Sequence, residues 1–496
     1  MLNKVPMAAT LSTRHNRIFR RRTRVTPRVR EERPVADIGT HQAESALAGI
    51  VGAGHLLAGD AIGADYAHDE ALSSEPVKPA YVARPETAEQ VAQLLKTASE
   101  HRIPVTARGS GSGMSGAARP RPGGLLISFE RMAAILEIDT ENHVAVVQPG
   151  VTLEDLDGEL AKHGLVYPVY PGELSASIGG NVGTNAGGMR AIKYGVTRNH
   201  VLGLEAALPT GELIRTGGKF VKASTGYDLT QLIIGSEGTL AVVTEAVLKV
   251  QPRMPYQGTV LAPFVDLDEV ARAVPKVVGS GIGPLILEYI DGLTMGAITY
   301  RAQLQLGIPD EVRETSHAYL VVQLENRNAD RLDEDIAEVG ELLSGLGAKD
   351  VYVLEGSAAN KLIDAREKAF WAAKEAGADD IIDTVIPRAS LPQFMERVRQ
   401  IAQENNTFVV GCGHAGDGNV HLAVLQKDNE VRDRVLHGLF EAGISLGGAI
   451  SGEHGIGRKH TERFLALTDP AKVDLMRRIK TAFDPAGVLN PGVLFD

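Results

Sequence analysis

Apolar positions along the chain fall into two textures. From about residue 80, short aliphatic and β-branched runs read as strands: IPVTA (103–107), LLISF (125–129) and HVAVVQPG (143–150). Helical periodicity fills the gaps between them. In RPETAEQVAQLLKTASEH, Thr87 and Gln90 have the spacing of a capping box, and Val91, Leu94, Leu95 and Ala98 share one face. VTLEDLDGELAKHG is a second helix, with Leu156 and Leu160 one turn apart and Gly164 as its stop. Past QPRMP (251–255) the order changes to AYLVVQLE, a helix over about 330–345, VYVLEG, a long amphipathic helix over 358–375, IIDTVI, a helix over 391–404, FVVGC, VHLAVL and a last helix. This succession predicts an antiparallel α+β region with helices on one face of a sheet.

Three glycine-rich segments interrupt the first region. ARGSGSGMSGAARPRPGG (107–124) contains Gly111-x-Gly113-x-x-Gly116, the letters of a dinucleotide-binding fingerprint. That fingerprint needs a helix at its third glycine, and Pro120, Pro122 and Gly123-Gly124 argue against one, so a Rossmann NAD unit is disfavoured. A bare glycine loop can still converge backbone N–H groups on an anion. YPVYPGELSASIGGNVGTNAGGMRAIKYGVTRNHV (167–201) reads as loop that lets the backbone approach a flat polar ligand through Gly179, Gly180, Gly183, Gly187 and Gly188. The alternative is a flexible linker, which fits poorly with the strand-like LGLEAALPTGELIRT that follows. GSEGTLAVVTEAVLKV places Gly235 and Gly238 before a β-prone run, and Asn490-Pro491-Gly492 near the end is turn chemistry. Together these loops predict an extended cofactor wrapped by several of them.

With 496 residues, 44% of them hydrophobic and 23% charged, the chain is of globular composition and long enough for two or three domains. The single cysteine, Cys412, excludes an intrachain disulfide and points to a reducing compartment. No apolar run reaches membrane-spanning length. Residues 1–34 carry Lys4 and nine arginines against Glu31 and Glu32, a net of +8; the overall −11 therefore leaves about −19 on the rest, a poor balance for binding nucleic acid. The arm reads as a disordered tail, with organelle targeting or an anionic-surface tether as alternatives.

Two late motifs carry chemistry. GHAGDGNVH holds His414 and His421, and SGEHGIGRKH holds Glu453 and His454. If a turn through Gly416 and Gly418 brings the two histidines together, two imidazoles and a carboxylate make a divalent-metal site with open positions, suited to zinc, manganese or iron(II). The plain alternative is two unrelated histidines, since a spacing of seven is loose. His454 is then free for general-base work on an alcohol that a metal acidifies. Cys412 reads as a small packed residue and Trp371 as part of a helix core.

These motifs, in order, resemble the FAD-linked oxidases of the vanillyl-alcohol-oxidase or p-cresol-methylhydroxylase (PCMH) type. They are most similar to the branch that holds the flavoprotein component of glycolate oxidase, cytochrome-linked D-lactate dehydrogenase and D-2-hydroxyglutarate dehydrogenase. The matching stretches are RPETAEQV, ARGSGSGMSG, PGELSASIGGNVGTNAGG, YGVTRNHVLGLEAALPTGE, IIGSEGTLAVVTEAVLKV, GHAGDGNVH, SGEHGIG and FDPAGVLNPG, across residues 78–496. The resemblance implies an α+β fold with a two-part PCMH-type FAD-binding domain over 35–252. It also implies an antiparallel substrate or cap domain over 253–448 and a segment, 449–496, that returns to complete the active site and the FAD domain.

The resemblance further implies noncovalent FAD, since the pyrophosphate loop offers no histidine for attachment. Its contacts would be Arg108, Gly109, Ser110, Gly111, Ser112, Gly113, Ser115 and Gly116, then Pro149. Pro171, Gly172, Ser177, Ile178, Gly179, Gly180, Asn181, Gly183, Thr184, Asn185, Gly187 and Gly188 would follow, with Glu237, Gly238, Val243 and Asn490 last. His414, His421 and Glu453 match the family's metal ligands and His454 its base. Arg366 matches the arginine that pairs with the substrate carboxylate. Arg388 matches a second contact, with an ordinary surface salt bridge as the alternative.

The implied reaction takes a D-2-hydroxy acid to its 2-oxo acid, with hydride passing to flavin N5. Ala423 stands where hydroxyglutarate-type members carry a polar residue, which favours a short acid, D-lactate or glycolate, over D-2-hydroxyglutarate. A catalytically silent flavin-binding scaffold and a nonredox FAD-dependent alkyl-transfer enzyme are the rivals from other classes. The electron acceptor stays open among a quinone, a cytochrome, an electron-transferring flavoprotein, an iron-sulfur subunit and oxygen. So do homodimer formation and the choice between a cytoplasmic location and peripheral membrane contact.

Overall fold

The computed structural model describes residues 40–72 and 74–495; the basic arm lies outside the described residues. The chain first builds a four-stranded sheet in the order Leu56–Ala58, Tyr81–Ala83, Leu125–Ser128, Val105–Arg108. Its last three strands run parallel, as strands joined through a helical crossover do. That crossover, Ala88–His101, starts because Thr87 accepts the Gln90 N–H and ends at Arg102 in the left-handed region. The expected capping box closes one residue early: Gln90 Oε1 accepts from Glu86 N at 2.8 Å rather than from Thr87. The helix buries the predicted face of Val91, Leu94, Leu95 and Ala98.

A five-stranded antiparallel sheet follows, ordered Ile135–Asp139, Val144–Val147, Val242–Lys249, Val201–Ala207, Leu213–Gly217. The stretch expected as loop over 167–201 departs from expectation, because Ile178–Thr184 is a helix. Ser177 caps it by accepting the Gly180 N–H, and Asn185 ends it in the left-handed region. Ile178 and Val182 bury its inner face, and Gly179 lets it approach Pro149 closely, since a Cβ there would lie 2.6 Å from the Pro149 Cβ. Tertiary packing thus overrides the weak helix propensity of three glycines.

All seven strands of the third sheet are antiparallel, in the order Tyr352–Leu354, Tyr256–Phe264, Ala318–Asn326, Ile286–Asp291, Phe408–Gly413, Asn419–Leu425, Asp380–Val385. Helices cover both faces, not the one face expected. Val260, Ala262 and Phe264 face helices Leu267–Gly279, Ala329–Gly345, Leu391–Glu404 and Asn429–Ser445. Leu261, Ile286, Ile290 and Val321 face Gly292–Arg301, Gly356–Glu367 and Ala369–Glu375. The reason is in the strands: consecutive apolar residues such as Val260-Leu261-Ala262 need cover on each side. The single helix expected over 358–375 is two, Gly356–Glu367 and Ala369–Glu375, separated at Lys368, whose ψ of 12° leaves the helical range.

After helix Pro470–Phe483 the chain crosses back to the first sheet. Val105 N donates to Val488 O and Asn490 N to Val105 O, both at 2.8 Å. Asp484, 2% exposed, fixes this return by accepting from Leu489 N at 2.7 Å and pairing with Lys480 Nζ at 2.5 Å. Among the described residues, no helix is long and apolar enough to cross a membrane. Asp484→Ala leaves the N–H groups of Val488 and Leu489 without their acceptor and the Lys480 ammonium with only the Thr239 and Leu489 carbonyls, an expected cost of about 3 kcal/mol. The check is the denaturation midpoint, with Asp484→Asn falling between the wild type and the alanine variant.

Candidate active site

A cleft of about 180 Å3 runs between the first two sheets, lined by backbone from the three glycine-rich segments and by Asn490. Of the residues expected at FAD, it is lined by Arg108, Gly109, Ser110, Gly111, Ser112, Gly113, Ser115, Pro149, Pro171, Ser177, Gly179, Gly180, Asn181, Gly183, Thr184, Gly187, Glu237, Gly238, Val243 and Asn490. As expected, no helix follows Gly116. The remaining expected contacts stand elsewhere. Gly172 lines the neighbouring cavity, Ile178 is buried in the core, and Gly116 turns against Arg458. Asn185 Oδ1 is taken by Arg198 N at 2.9 Å, and Gly188 packs under the Tyr170 carbonyl.

Two expected contacts organise the cleft instead of leaving polar atoms free. Asn490 Nδ2 donates to Ala117 O at 2.9 Å and to Glu237 O at 2.8 Å, tying the first and third loops. Glu237 accepts from Ile456 N at 2.9 Å and Gly457 N at 2.8 Å, which links the third loop to the SGEHGIG turn. The cleft suits a long, flat, anionic group such as FAD: a Cβ at Gly109 would collide with Ser177 Oγ, so the first loop and the helix cap touch through bare backbone.

The reactive cluster follows from strand alternation. Residues opposite each other on neighbouring strands share a face. Ile290 pairs with Cys412, Cys412 with His421, and His421 with Asp383, so one row crosses four strands on one side of the sheet. Glu288 lies two residues from Ile290 on that face. The turn after Gly413 presents His414 beside it, and Gly418, at φ 87°, closes the turn where a Cβ would strike the Ile386 carbonyl. The two imidazoles meet with ring centroids 4.9 Å apart, as the fold-back through Gly416 and Gly418 anticipates.

Asp383 brings the remaining pair into place. Its Oδ2 accepts from Ser451 Oγ at 2.7 Å and from the N–H groups of Gly452, Glu453 and His454 at 3.0, 2.9 and 2.7 Å. Asn419 Nδ2 donates to its Oδ1 at 2.6 Å. Burial pushes the Asp383 carboxyl up, but His454 and His421 outweigh it and hold it below the usual range.

Glu453 Oε1 then lies 3.2 Å from both His414 Nε2 and His421 Nε2. His454 stacks on His421 at 5.1 Å, its Nε2 4.0 Å from Glu453 Oε1 and its Nδ1 4.0 Å from Asp383 Oδ2.

Among the described residues, one group is placed to hold a divalent cation. Asp383, His421, Glu453 and His454 offer ligand atoms within 4.8 Å of one another. Asp383, however, already accepts five hydrogen bonds. The expected trio of His414, His421 and Glu453 shares two members with that group, and His414 Nδ1 lies 2.6 Å from Glu288 Oε1, a carboxylate placed to orient an imidazole that would bind a metal through Nε2. With Nδ1 donating, a lone pair on Nε2 faces a carboxylate oxygen, an arrangement that only a shared cation or proton relieves. Burial pushes His414 down, but Glu288 and Glu453 overcome it and hold it well above its usual range. Burial raises Glu453, and His414 and His421 hold it well below. Burial pushes His454 below its usual range, against the pull of Asp383.

A second cavity, of about 230 Å3, lies over this face of the sheet and includes Arg366, His414, His421, Glu453 and His454. Arg366 is buried in the last turn of its helix, with Nη2 2.6 Å from Glu288 Oε2 and Nε without a hydrogen-bond partner among the described residues. Arg388 is exposed on the 3-10 turn Arg388–Ser390 and lines neither of these two cavities. Cys412 is buried, as expected, and lines this cavity. Trp371 is only half-buried, with the Lys374 ammonium 4.9 Å over its ring.

Sequence reasoning missed Glu288, Asp383 and Glu367, the last of which also lines the second cavity. A lone glutamate inside the apolar ILEYID run was the available signal for the first. The two cavities share Met114, Pro171, Glu453 and His454, so they meet at the reactive cluster.

Comparison with known proteins gives two family matches: the FAD binding domain over residues 79–217 and the C-terminal domain of the FAD linked oxidases over 253–494. An uncharacterized FAD-linked oxidoreductase of Mycobacterium tuberculosis is 64% identical over 446 residues, covering 90% of this chain and 97% of that protein. Glycolate oxidase subunit GlcD of Bacillus subtilis is 35% identical, covering 87% and 92%. The crystal structure of p-cresol methylhydroxylase with substrate bound superposes with a TM-score of 0.78 at 18% identity, over 93% of this chain and 98% of that one. That likeness shows the fold, a PCMH-type two-domain FAD-binding architecture.

Gly109→Ala forces Ser177 Oγ away from the N–H groups of Gly180 and Ser110 that it caps. Losing one such cap costs about 1 kcal/mol, and closure of the loop against the helix adds to it, so FAD is expected to bind about tenfold more weakly. Flavin absorbance retained per protein after gel filtration checks this.

Proposed function

This chain belongs to the FAD-linked oxidases, and on that footing we propose that it oxidises a D-2-hydroxy acid bearing one carboxylate to the 2-oxo acid. The observation that carries the reading is the meeting of the two cavities at Glu453 and His454, which sets the reactive cluster between the FAD cleft and the Arg366 cavity. The expected short acids, D-lactate and glycolate, fit the polar end of that cavity. D-2-hydroxyglutarate is less well served. Arg366 is the sole lysine or arginine among the lining residues, and a second carboxylate would be desolvated without a partner.

Bound FAD supplies a two-electron acceptor at flavin N5. A divalent cation held by His414, His421 and Glu453 would make the substrate hydroxyl more acidic. The protein's own groups do the positioning. Arg366, the cavity's one guanidinium, pairs with the carboxylate and fixes the acid at one end. His454 takes the hydroxyl proton at Nε2, on the side facing Glu453, while Asp383 opposite Nδ1 steadies the ring. Both acids and bases are thereby held before substrate arrives, and such orientation lowers a barrier by several kcal/mol.

Anaerobic mixing of the yellow protein with paired D- and L-2-hydroxy acids, with and without a chelator, tests the proposal. Bleaching by a D-acid that chelation abolishes is the expected result. Bleaching that survives complete metal removal discards the metal role, and no bleaching by any 2-hydroxy acid discards the reaction.

Glu367 adds a pH dependence. Burial pushes its pKa up to about 7, and the group lines the substrate cavity. Below that pH it is neutral; above it, a carboxylate faces the anionic substrate. KM is therefore expected to rise about two- to fivefold as pH passes 7, and Glu367→Gln to flatten the rise. Steady-state KM measured between pH 6 and 8.5 gives the answer.

A further inference from the structure

Beyond its polar end the substrate cavity is built for hydrocarbon. Its floor is the same face of the sheet, one step along: Ile381 pairs with Ala423 and Ala423 with Val410, a row two residues removed from the row of Asp383, His421 and Cys412. Leu425 continues it. His421, Ala423 and Leu425 all line the cavity, and with a rise of about 3.3 Å per residue the floor extends roughly 13 Å from the reactive imidazole. Ala369, Phe370, Ala372 and Ala373 form a roof from helix Ala369–Glu375, and Leu293 and Ala297 form a wall from helix Gly292–Arg301. Leu293, 65% exposed, brings this wall to the surface.

Charge selects against a polar occupant. Apart from Arg366 no lysine or arginine lines the channel. Lys374, the cation on the roof helix, points elsewhere and pairs with Glu70 at 2.9 Å. A three-carbon acid would fill the polar end and leave the Ala423–Leu425 floor wet.

We propose that this channel binds an extended aliphatic side chain, making the preferred substrate a D-2-hydroxy acid with an unbranched apolar tail reaching past Ala423 toward Leu425. The proposal rests on the D-2-hydroxy acid reading above and replaces its shortest candidates. Ala423 thus acts twice: its methyl offers no anchor for a second carboxylate, and its small size keeps the channel open.

The test is a kcat/KM series with an artificial acceptor for glycolate, D-lactate, D-2-hydroxybutyrate, D-2-hydroxypentanoate, D-2-hydroxyhexanoate and D-2-hydroxyglutarate. Each buried methylene is expected to raise kcat/KM by up to about fourfold, so the hexanoate exceeds D-lactate by tenfold or more. The pentanoate, equal in carbon count to hydroxyglutarate, exceeds it by about a hundredfold.

Ala373→Phe, which adds a ring to the roof, lowers the hexanoate-to-lactate ratio at least tenfold. A series that is flat or falls with length, or one led by hydroxyglutarate, overturns the aliphatic channel while leaving the D-2-hydroxy acid reading intact. A series in which no acid turns over removes both, and is distinguished by that complete silence.

Discussion

The site depends on one buried carboxylate gathering backbone. Asp383 takes three consecutive N–H groups and a serine hydroxyl from residues 451–454, and this pins Glu453 and His454 beside a hairpin that reaches them from elsewhere in the sequence. An anion held by successive amides is stable where a bare buried carboxylate would not be. With Glu288 and Glu453 it also makes three acidic groups against one guanidinium, that of Arg366. Such a pocket draws positive charge, whether from imidazolium or a cation, and that is why imidazoles crowd around it.

The two cavities divide the work physically. The FAD cleft is formed by backbone, because a large anionic ligand needs close approach more than side-chain chemistry. The second cavity is formed by side chains on a rigid sheet, where strand alternation sets each group's position. Glu237 and Asn490 hold the cleft's loops to each other and to the SGEHGIG turn, so the geometry of the cofactor bed and that of the reactive groups are mechanically coupled.

Much of this was legible in the sequence. The strand runs, the helix over 329–345 and the absence of a helix after Gly116 follow from periodicity and proline chemistry, which act locally. The cluster of His414, His421, Glu453 and His454 was legible because its motifs are dense in glycine and in titratable residues. What escaped depends on tertiary contact. The helix Ile178–Thr184 exists because packing covers Ile178 and Val182 despite its glycines. Helices on both faces of the large sheet, and the break at Lys368, are settled by what each surface meets. Glu288 and Asp383 sit singly inside apolar strands, where only pairing reveals what lies opposite. Arg388 matched a motif, but its turn faces solvent.

The return of Asn490 to Val105 has a consequence for biosynthesis. Ala117 and Glu237 are joined by an amide that leaves the ribosome about 250 residues after the later of them. During translation the nascent chain therefore carries a cradle that stays unclasped until residue 490 is made. A message cut short before codon 490 would yield a protein whose sheets are complete but whose cofactor bed lacks its clasp.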